Sequence, residues 1–229
     1  ILPERETETA EAQETPSPSA PEASSVAQNE EQPVPADVAF VRELQALLSV
    51  KDTDGALKAF ENLPDELKEN TQLEILRASL FLSTGRTEEA KKVAEALFER
   101  DSDNIDVIEL NMRTALASGD RKKADSLIKR LLASDPNNAA ANIALAEQYA
   151  LSRKFKLAND AYKRALQSDR GNIDALFGFA QTAFYIGDTA EAKKFFEAIL
   201  AEDASHALAL SYLGKIAADD KNYLRASTY

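Results

Sequence analysis

The sequence predicts an all-α fold in which pairs of short helices repeat along the chain. Alanine recurs every 34 residues, without a gap, from residue 56 to residue 226. A fixed period of about 20–50 residues is typical of repeat architectures. Between the alanines the apolar residues follow helical spacing, so each period accommodates two helices. The recurring alanines are Ala56, Ala90, Ala124, Ala158, Ala192 and Ala226.

A turn marker follows the same period. Gly85, Gly119 and Gly187 each stand five residues before a recurring alanine, and Arg153 occupies the intervening position. Glycine is the usual residue where a helix ends in a turn with positive φ. An aspartate after two of these glycines suits the start of a second helix. We therefore expect the first helix of each pair to end here.

Bulky apolar residues complete the repeat. One stands four residues after most of the alanines, with Ala94 as the small exception, and another follows three residues later. The stretch 135–138, Asp-Pro-Asn-Asn, ends one period because proline cannot continue a helix and Asp and Asn suit a helix cap. The first set is Phe60, Ile128, Tyr162 and Phe196, and the second is Leu63, Leu97, Leu131, Ala165 and Ile199.

A 34-residue helix-turn-helix unit with Gly, Ala, aromatic and Pro residues at these offsets resembles the tetratricopeptide repeat. The resemblance covers about residues 37–229 and implies a right-handed superhelical solenoid with a concave and a convex face. Three positions depart from the family, because Glu43, Arg77 and Asn111 stand where leucine is usual. The predicted units are 37–70, 71–104, 105–138, 139–172, 173–206 and an incomplete 207–229.

Residues 1–36 differ in composition from the rest. They hold six of the eight prolines and eight acidic residues against one basic residue, and they contain no Phe, Tyr or Trp. Such a segment cannot bury enough apolar surface to offset the entropy of ordering the chain. We therefore expect a disordered, acidic, Pro/Ser-rich tether, which carries −7 of the net charge of −12.

The chain begins at Ile1 rather than at methionine, so we expect an upstream segment. An acidic spacer is typical of a tether between a membrane anchor and an extracytoplasmic domain, and also of a linker between domains. The composition favours a membrane-tethered, periplasmic location over a cytoplasmic one. The last unit ends part-way through a helix, so we also expect the protein to continue. The chain contains no run of about 18 apolar residues, so the sequence predicts no transmembrane segment within it.

We expect a non-catalytic protein without a cofactor or a metal. The absence of cysteine excludes disulfides, thiolate ligands and cysteine nucleophiles. His206 is the only histidine, and it lacks the convergent partners of a general base or metal ligand. Aspartate-rich stretches at 52–55 and 101–104 lack the glutamate of a calcium loop. The glycines are too scattered for a phosphate loop, and the acidity disfavours nucleic acid as a partner.

The family resemblance implies that a protein partner binds in the concave groove, which the first helix of each unit lines. The lining is more apolar than polar and suits an amphipathic helix or an extended apolar segment. Alternatively, its aromatic residues pack between repeats, or a further helix of the same chain fills the groove. The implied groove residues are Ile75, Leu82, Arg113, Leu116, Ile143, Glu147, Leu151, Phe177, Gln181, Phe184 and Tyr185.

Three functions stay open, and the first is favoured. They are a scaffold or adaptor that binds a partner in the groove, a structural protein whose copies assemble end to end, and the regulatory segment of a larger enzyme. Family members that grip the acidic tails of chaperones carry Lys and Asn in the groove. Here one such pair of positions holds Ile143 and Glu147, so that class of partner is not expected.

Overall fold

The computed structural model describes residues 35–222 and 226–228. This part of the chain contains helices and no strand, and none of its helices is both long and apolar enough to cross a membrane. The predicted tether lies outside the described residues except for its last two positions. The α-helices are α1 (Ala36–Ser49), α2 (Thr53–Ala59), α3 (Thr71–Ser83), α4 (Thr87–Arg100), α5 (Ile105–Ala117), α6 (Arg121–Ser134), α7 (Ala139–Leu151), α8 (Phe155–Ser168), α9 (Ile173–Ile186), α10 (Thr189–Glu202) and α11 (Ala207–Asp219), with 3₁₀ turns at Phe60–Asn62 and Asp65–Leu67.

The helices stack in sequence order. From α3 to α11 each helix packs against the one before it and the one after it, and α3 also contacts α5, as α7 contacts α9. The buried apolar residues form successive clusters along this stack. Because each pair buries its apolar face against its neighbours, the arrangement is that of a solenoid. The predicted all-α solenoid is confirmed.

The periodic alanines lie where the helices approach most closely. The first five have no exposed surface. A side chain of this size lets two helix backbones come together, whereas a larger one would add volume that a close-packed core cannot take up. The bulky residues four positions later are also buried, as expected. The fully buried alanines are Ala56, Ala90, Ala124, Ala158 and Ala192.

The turn within each helix pair has a left-handed residue. Within the described part of the chain, positive φ occurs at six positions, and these are spaced 34 residues apart. The three glycines that the period predicts have φ of 74°, 77° and 89°, and three charged residues take the same place with φ of 55° to 62°. The expected turn geometry is therefore confirmed and extends further than the glycines indicated. The six residues are Lys51, Gly85, Gly119, Arg153, Gly187 and Lys221.

A second periodic feature caps the first helix of each pair. The side chains of Asn70, Asn104, Asn138 and Asn172 accept hydrogen bonds from backbone N–H groups at the starts of α3, α5, α7 and α9. At the next position His206 does the same, since its Nδ1 accepts from the N–H of Ala209 at 3.2 Å. Capping satisfies amide groups that have no partner inside the helix. The single histidine therefore has a structural role.

Two of the departures from the family pattern are accommodated locally. Asn111 is 1% exposed, and its Nδ2 donates to the carbonyl oxygens of Ala94 at 2.7 Å and Val107 at 3.0 Å. These bonds offset part of the cost of burying a polar group where a leucine is usual, although Asn111 Oδ1 and Arg77 Nε are buried without a hydrogen-bond partner among the described residues. Arg77 lies over the ring of Phe81, with 5.5 Å between its guanidinium carbon and the ring centroid.

We predict that Gly187→Ala lowers the free energy of unfolding by about 1 kcal/mol, because alanine disfavours the left-handed backbone at that turn. A Cβ at Gly187 would meet no atom within 4 Å, so the loss comes from the backbone alone. Urea unfolding followed by circular dichroism measures it. Gly171→Ala is the matched control, because Gly171 is in a turn without positive φ. Equal losses in both variants would contradict this explanation.

Candidate functional site

A cleft of about 920 Å³ opens between α7, α8 and α9. A second cleft, of about 500 Å³, extends from α5 to α9 and shares Glu147 and Asp174 with the first. We call the two together the α5–α9 groove. The larger cleft is lined by Glu147, Ala150, Leu151, Arg153, Phe155, Tyr162, Asp174, Phe177, Gly178, Gln181 and Tyr185.

An aromatic wall forms one side of the larger cleft. Phe155 from α8 stacks on Tyr185 from α9, with 4.8 Å between ring centroids. The Tyr185 hydroxyl lies 3.1 Å from that of Tyr212 in α11, to which Gln181 donates a hydrogen bond of 2.8 Å. Although Tyr185 is 51% exposed, these contacts hold its ring in place. The wall is therefore formed before any partner arrives.

Acceptor groups line the same cleft. Glu147 projects from the last turns of α7, and Asp174 lies in the first turn of α9. Neither carboxylate has a hydrogen bond or an ion pair with another described side chain. Tyr162 of α8 is 6% exposed, and its ring lies directly against Gly178. A Cβ at position 178 would overlap that ring, so the glycine provides the space for Tyr162 beside the cleft.

The site raises the pKa values of two of these groups. Desolvation by the surrounding groove raises the pKa of Glu147, although the side chain stays open to solvent on one side, and the negative charge of Asp174 raises it further. Burial, together with the charges of Glu147 and Asp174, raises the pKa of Tyr162 to about 12. The cleft thus concentrates negative charge in a partly desolvated place.

The structure brings together most, though not all, of the residues that the family resemblance implies. Glu147, Leu151, Phe177, Gln181 and Tyr185 line the larger cleft, and Arg113, Leu116 and Ile143 join Glu147 in the smaller one. The remaining three line neither cleft. Ile75 and Leu82 pack against apolar clusters, and Phe184 packs against the ring of Tyr212 at 5.4 Å. The binding role of all eleven stays a prediction.

Apart from Ala150, five residues of the larger cleft are absent from the implied set. Arg153, Phe155 and Tyr162 lie outside the first helices, on which the resemblance places its groove positions, and Gly178 has no side chain. The packing of neighbouring helix pairs brings these four to the cleft. Asp174 was recoverable, because it stands three and seven residues before Phe177 and Gln181 on the same face of α9. The missed residues are Arg153, Phe155, Tyr162, Asp174 and Gly178.

We predict that Glu147→Gln raises the thermal midpoint at neutral pH. A carboxyl whose pKa is higher in the folded state than in the unfolded state destabilises the fold once it ionises. The gain should shrink as the pH falls through the raised pKa, and it should vanish below the ordinary pKa of glutamate, where the carboxyl is protonated in both states. Differential scanning fluorimetry measures it, with Glu99→Gln, an exposed residue of α4, as the charge-matched control. A midpoint below that of the unchanged protein would contradict the prediction.

Two models of the tetratricopeptide repeat match the chain, one over residues 149–216 and the other over residues 112–173. No curated protein matches this sequence. Several solved structures resemble it at low identity, which shows the fold alone.

PilF of Pseudomonas aeruginosa is 19% identical with a TM-score of 0.61, and the match covers 69% of this chain and 72% of that one. A thermophilic TPR protein of Thermus thermophilus is 20% identical with a TM-score of 0.57, covering 85% and 100%. A tetratricopeptide repeat protein from Parabacteroides merdae is 15% identical with a TM-score of 0.53, covering 83% and 76%.

The two family models together cover residues 112–216, which include the helices around the larger cleft, and the solved structures share the stacking of helix pairs. We conclude that residues 112–216 of the chain consist of tetratricopeptide repeats, a fold that serves as a scaffold for protein–protein interactions.

Proposed function

We propose that this protein is a non-catalytic scaffold or adaptor that binds one segment of a protein partner, a helix or an extended peptide, in the α5–α9 groove. The observation that carries the proposal is the larger cleft, which is lined by both a stacked aromatic wall and acceptor groups. A volume of about 920 Å³ is comparable with the pockets that hold small-molecule ligands. A few side chains of a peptide fit such a space.

Exposed apolar side chains at the cleft support the same function. Leu151 is 83% exposed and Tyr185 is 51% exposed, and both line the cleft. Binding energy at interfaces concentrates in a few aromatic and aliphatic side chains that lose contact with water. Because the wall is already held by contacts within the fold, binding costs this protein less conformational entropy than binding at a mobile surface would.

In this proposal residues 1–36 serve as an acidic spacer between the helical unit and an upstream attachment. Their composition supports this role, since six prolines and a net charge of −7 are typical of spacer sequences. The spacer would allow the groove to reach a partner at a distance from that attachment. We propose that this attachment is a membrane anchor and that the helical unit lies in the periplasm.

We predict that Leu151→Ser with Tyr185→Ser abolishes capture of the partner. The test is affinity capture from the source cell with the whole chain, followed by mass spectrometry. Removing two exposed contacts at a cleft is expected to weaken binding by more than about tenfold, since central contacts are each worth about 1–2 kcal/mol. Circular dichroism checks that the variant keeps its helices.

The matched control is Val50→Ser with Leu157→Ser, which removes two exposed apolar side chains from outside both clefts. The control should capture the same partner as the unchanged protein. Partners retained by both variants, or lost from both, would contradict groove binding.

Light scattering measured against protein concentration tests the alternative function, because an end-to-end assembly protein would increase in mass without any partner.

A further inference from the structure

We propose that the bound segment is a basic amphipathic peptide whose lysine or arginine side chain enters the larger cleft beside Glu147, Asp174 and the Tyr162 hydroxyl. A neighbouring apolar residue of the peptide would contact the wall of Phe155 and Tyr185. This inference rests on the proposed groove function and narrows it to one class of partner.

The two carboxylates leave a charge that no described side chain neutralises. Glu147 and Asp174 line the same cleft, repel each other and have neither a hydrogen bond nor an ion pair within the described residues. Each of the remaining acids of the groove has a local partner: Asn138 donates to Glu109 at 2.7 Å, and the amide of Asn137 donates to Asp135 at 2.9 Å. The unpartnered pair is therefore specific to the larger cleft.

The Tyr162 side chain is a second feature of the cleft that fits a donor from outside the chain. The residue is only 6% exposed and lines the cleft, yet its hydroxyl has no hydrogen-bond partner among the described residues. The hydroxyl oxygen is not one of the fully buried unpartnered atoms, so it opens into the cleft and can accept a hydrogen bond there. An ammonium or guanidinium group donates several hydrogen bonds, so one such group can bond to the hydroxyl oxygen and to both carboxylates.

The net charge of the groove also favours a positively charged ligand. Four acids and two bases line the two clefts together, which leaves a net charge of −2. Of the two bases, Arg113 donates to the Ser79 hydroxyl at 2.5 Å, and Arg153 stands in the turn between α7 and α8. A positive ligand would therefore gain attraction on approach as well as in the cleft. The acids are Glu109, Asp135, Glu147 and Asp174.

The chemistry of the cleft favours a cation carried on a peptide over a bound metal ion. No group of three or more carboxylate or imidazole side chains that could hold a metal occurs in the described part of the chain. The acceptors also lie beside apolar surface from Leu151, Phe177 and Tyr185. A lysine or arginine side chain matches both features, because its methylene stem packs on apolar surface while its charged end reaches an acceptor or a ring face.

The experiment selects binders of the whole chain from a random-peptide phage library and measures synthetic copies of them by fluorescence anisotropy. We expect the selected peptides to carry Lys or Arg next to Leu, Phe, Tyr or Trp. Glu147→Gln with Asp174→Asn should weaken their binding by about tenfold or more. Tyr162→Phe, which removes only the hydroxyl, should weaken it by about threefold. The charge-matched control is Glu99→Gln with Asp160→Asn, two exposed acids outside the clefts, which should have no effect.

A peptide in which norleucine replaces the basic residue completes a double-mutant cycle. This norleucine peptide should bind the unchanged protein more weakly than the basic peptide does. The two peptides should bind the neutral Glu147→Gln, Asp174→Asn protein about equally well. The inference would be overturned if the selected peptides lack basic residues, or if they bind the neutral variant as tightly as the unchanged protein. Groove binding would still stand in that case if Leu151→Ser with Tyr185→Ser abolishes their binding. Peptides insensitive to both pairs of changes would overturn the groove function as well.

Discussion

The close approach of helices at a buried alanine is the constraint on which the rest of this structure depends. Ala90, Ala124, Ala158 and Ala192 have no exposed surface, and each lies in the second helix of a pair. Because a packed interior takes up little extra volume, these positions set the distance between helices. Each pair rests only on its neighbours, so an error at one alanine would displace every helix stacked beyond it. The position of the groove follows from this spacing.

The turns impose a second constraint that is independent of side-chain chemistry. A left-handed residue closes each pair, and it is glycine in three places and a basic residue in three others. Since Lys51 and Lys221 have the same backbone geometry as Arg153, the repeat itself explains the conformation of Arg153. What distinguishes Arg153 is its place at the larger cleft. The fold therefore supplies the backbone position, and the sequence selects which side chain stands at the mouth of the site.

The groove holds two carboxylates of like charge that have no ion-pair partner among the described residues, and that is physically informative. Glu147 and Asp174 face the same partly desolvated space, which raises the pKa of Glu147, and the Tyr162 hydroxyl beside them has no hydrogen-bond partner among the described residues. A protein selected for stability alone would not keep like charges together without a counterion. Local conflicts with the rules of folding tend to occur at functional sites, where a ligand supplies what the fold lacks.

The fold was predictable because its signals are local and repeated. The alanine period gave the helix pairs, the glycines gave the turns, and helical spacing gave the buried faces of α7 to α10. The asparagine caps at Asn70, Asn104, Asn138 and Asn172 follow the same period and were also readable, although the turn and alanine signals alone did not reveal them.

The candidate site was predictable only in part. The family resemblance places the groove on the first helix of each pair, and so it implied Glu147, Phe177 and Gln181. Which residues of the second helices and turns reach the same cleft depends on the distance and angle between pairs. Packing of residues far apart in the chain brought Tyr162 and Phe155 into the cleft and turned Phe184 towards Tyr212. Periodicity places a residue on a face of its own helix, but contacts across helices form only when the pairs stack.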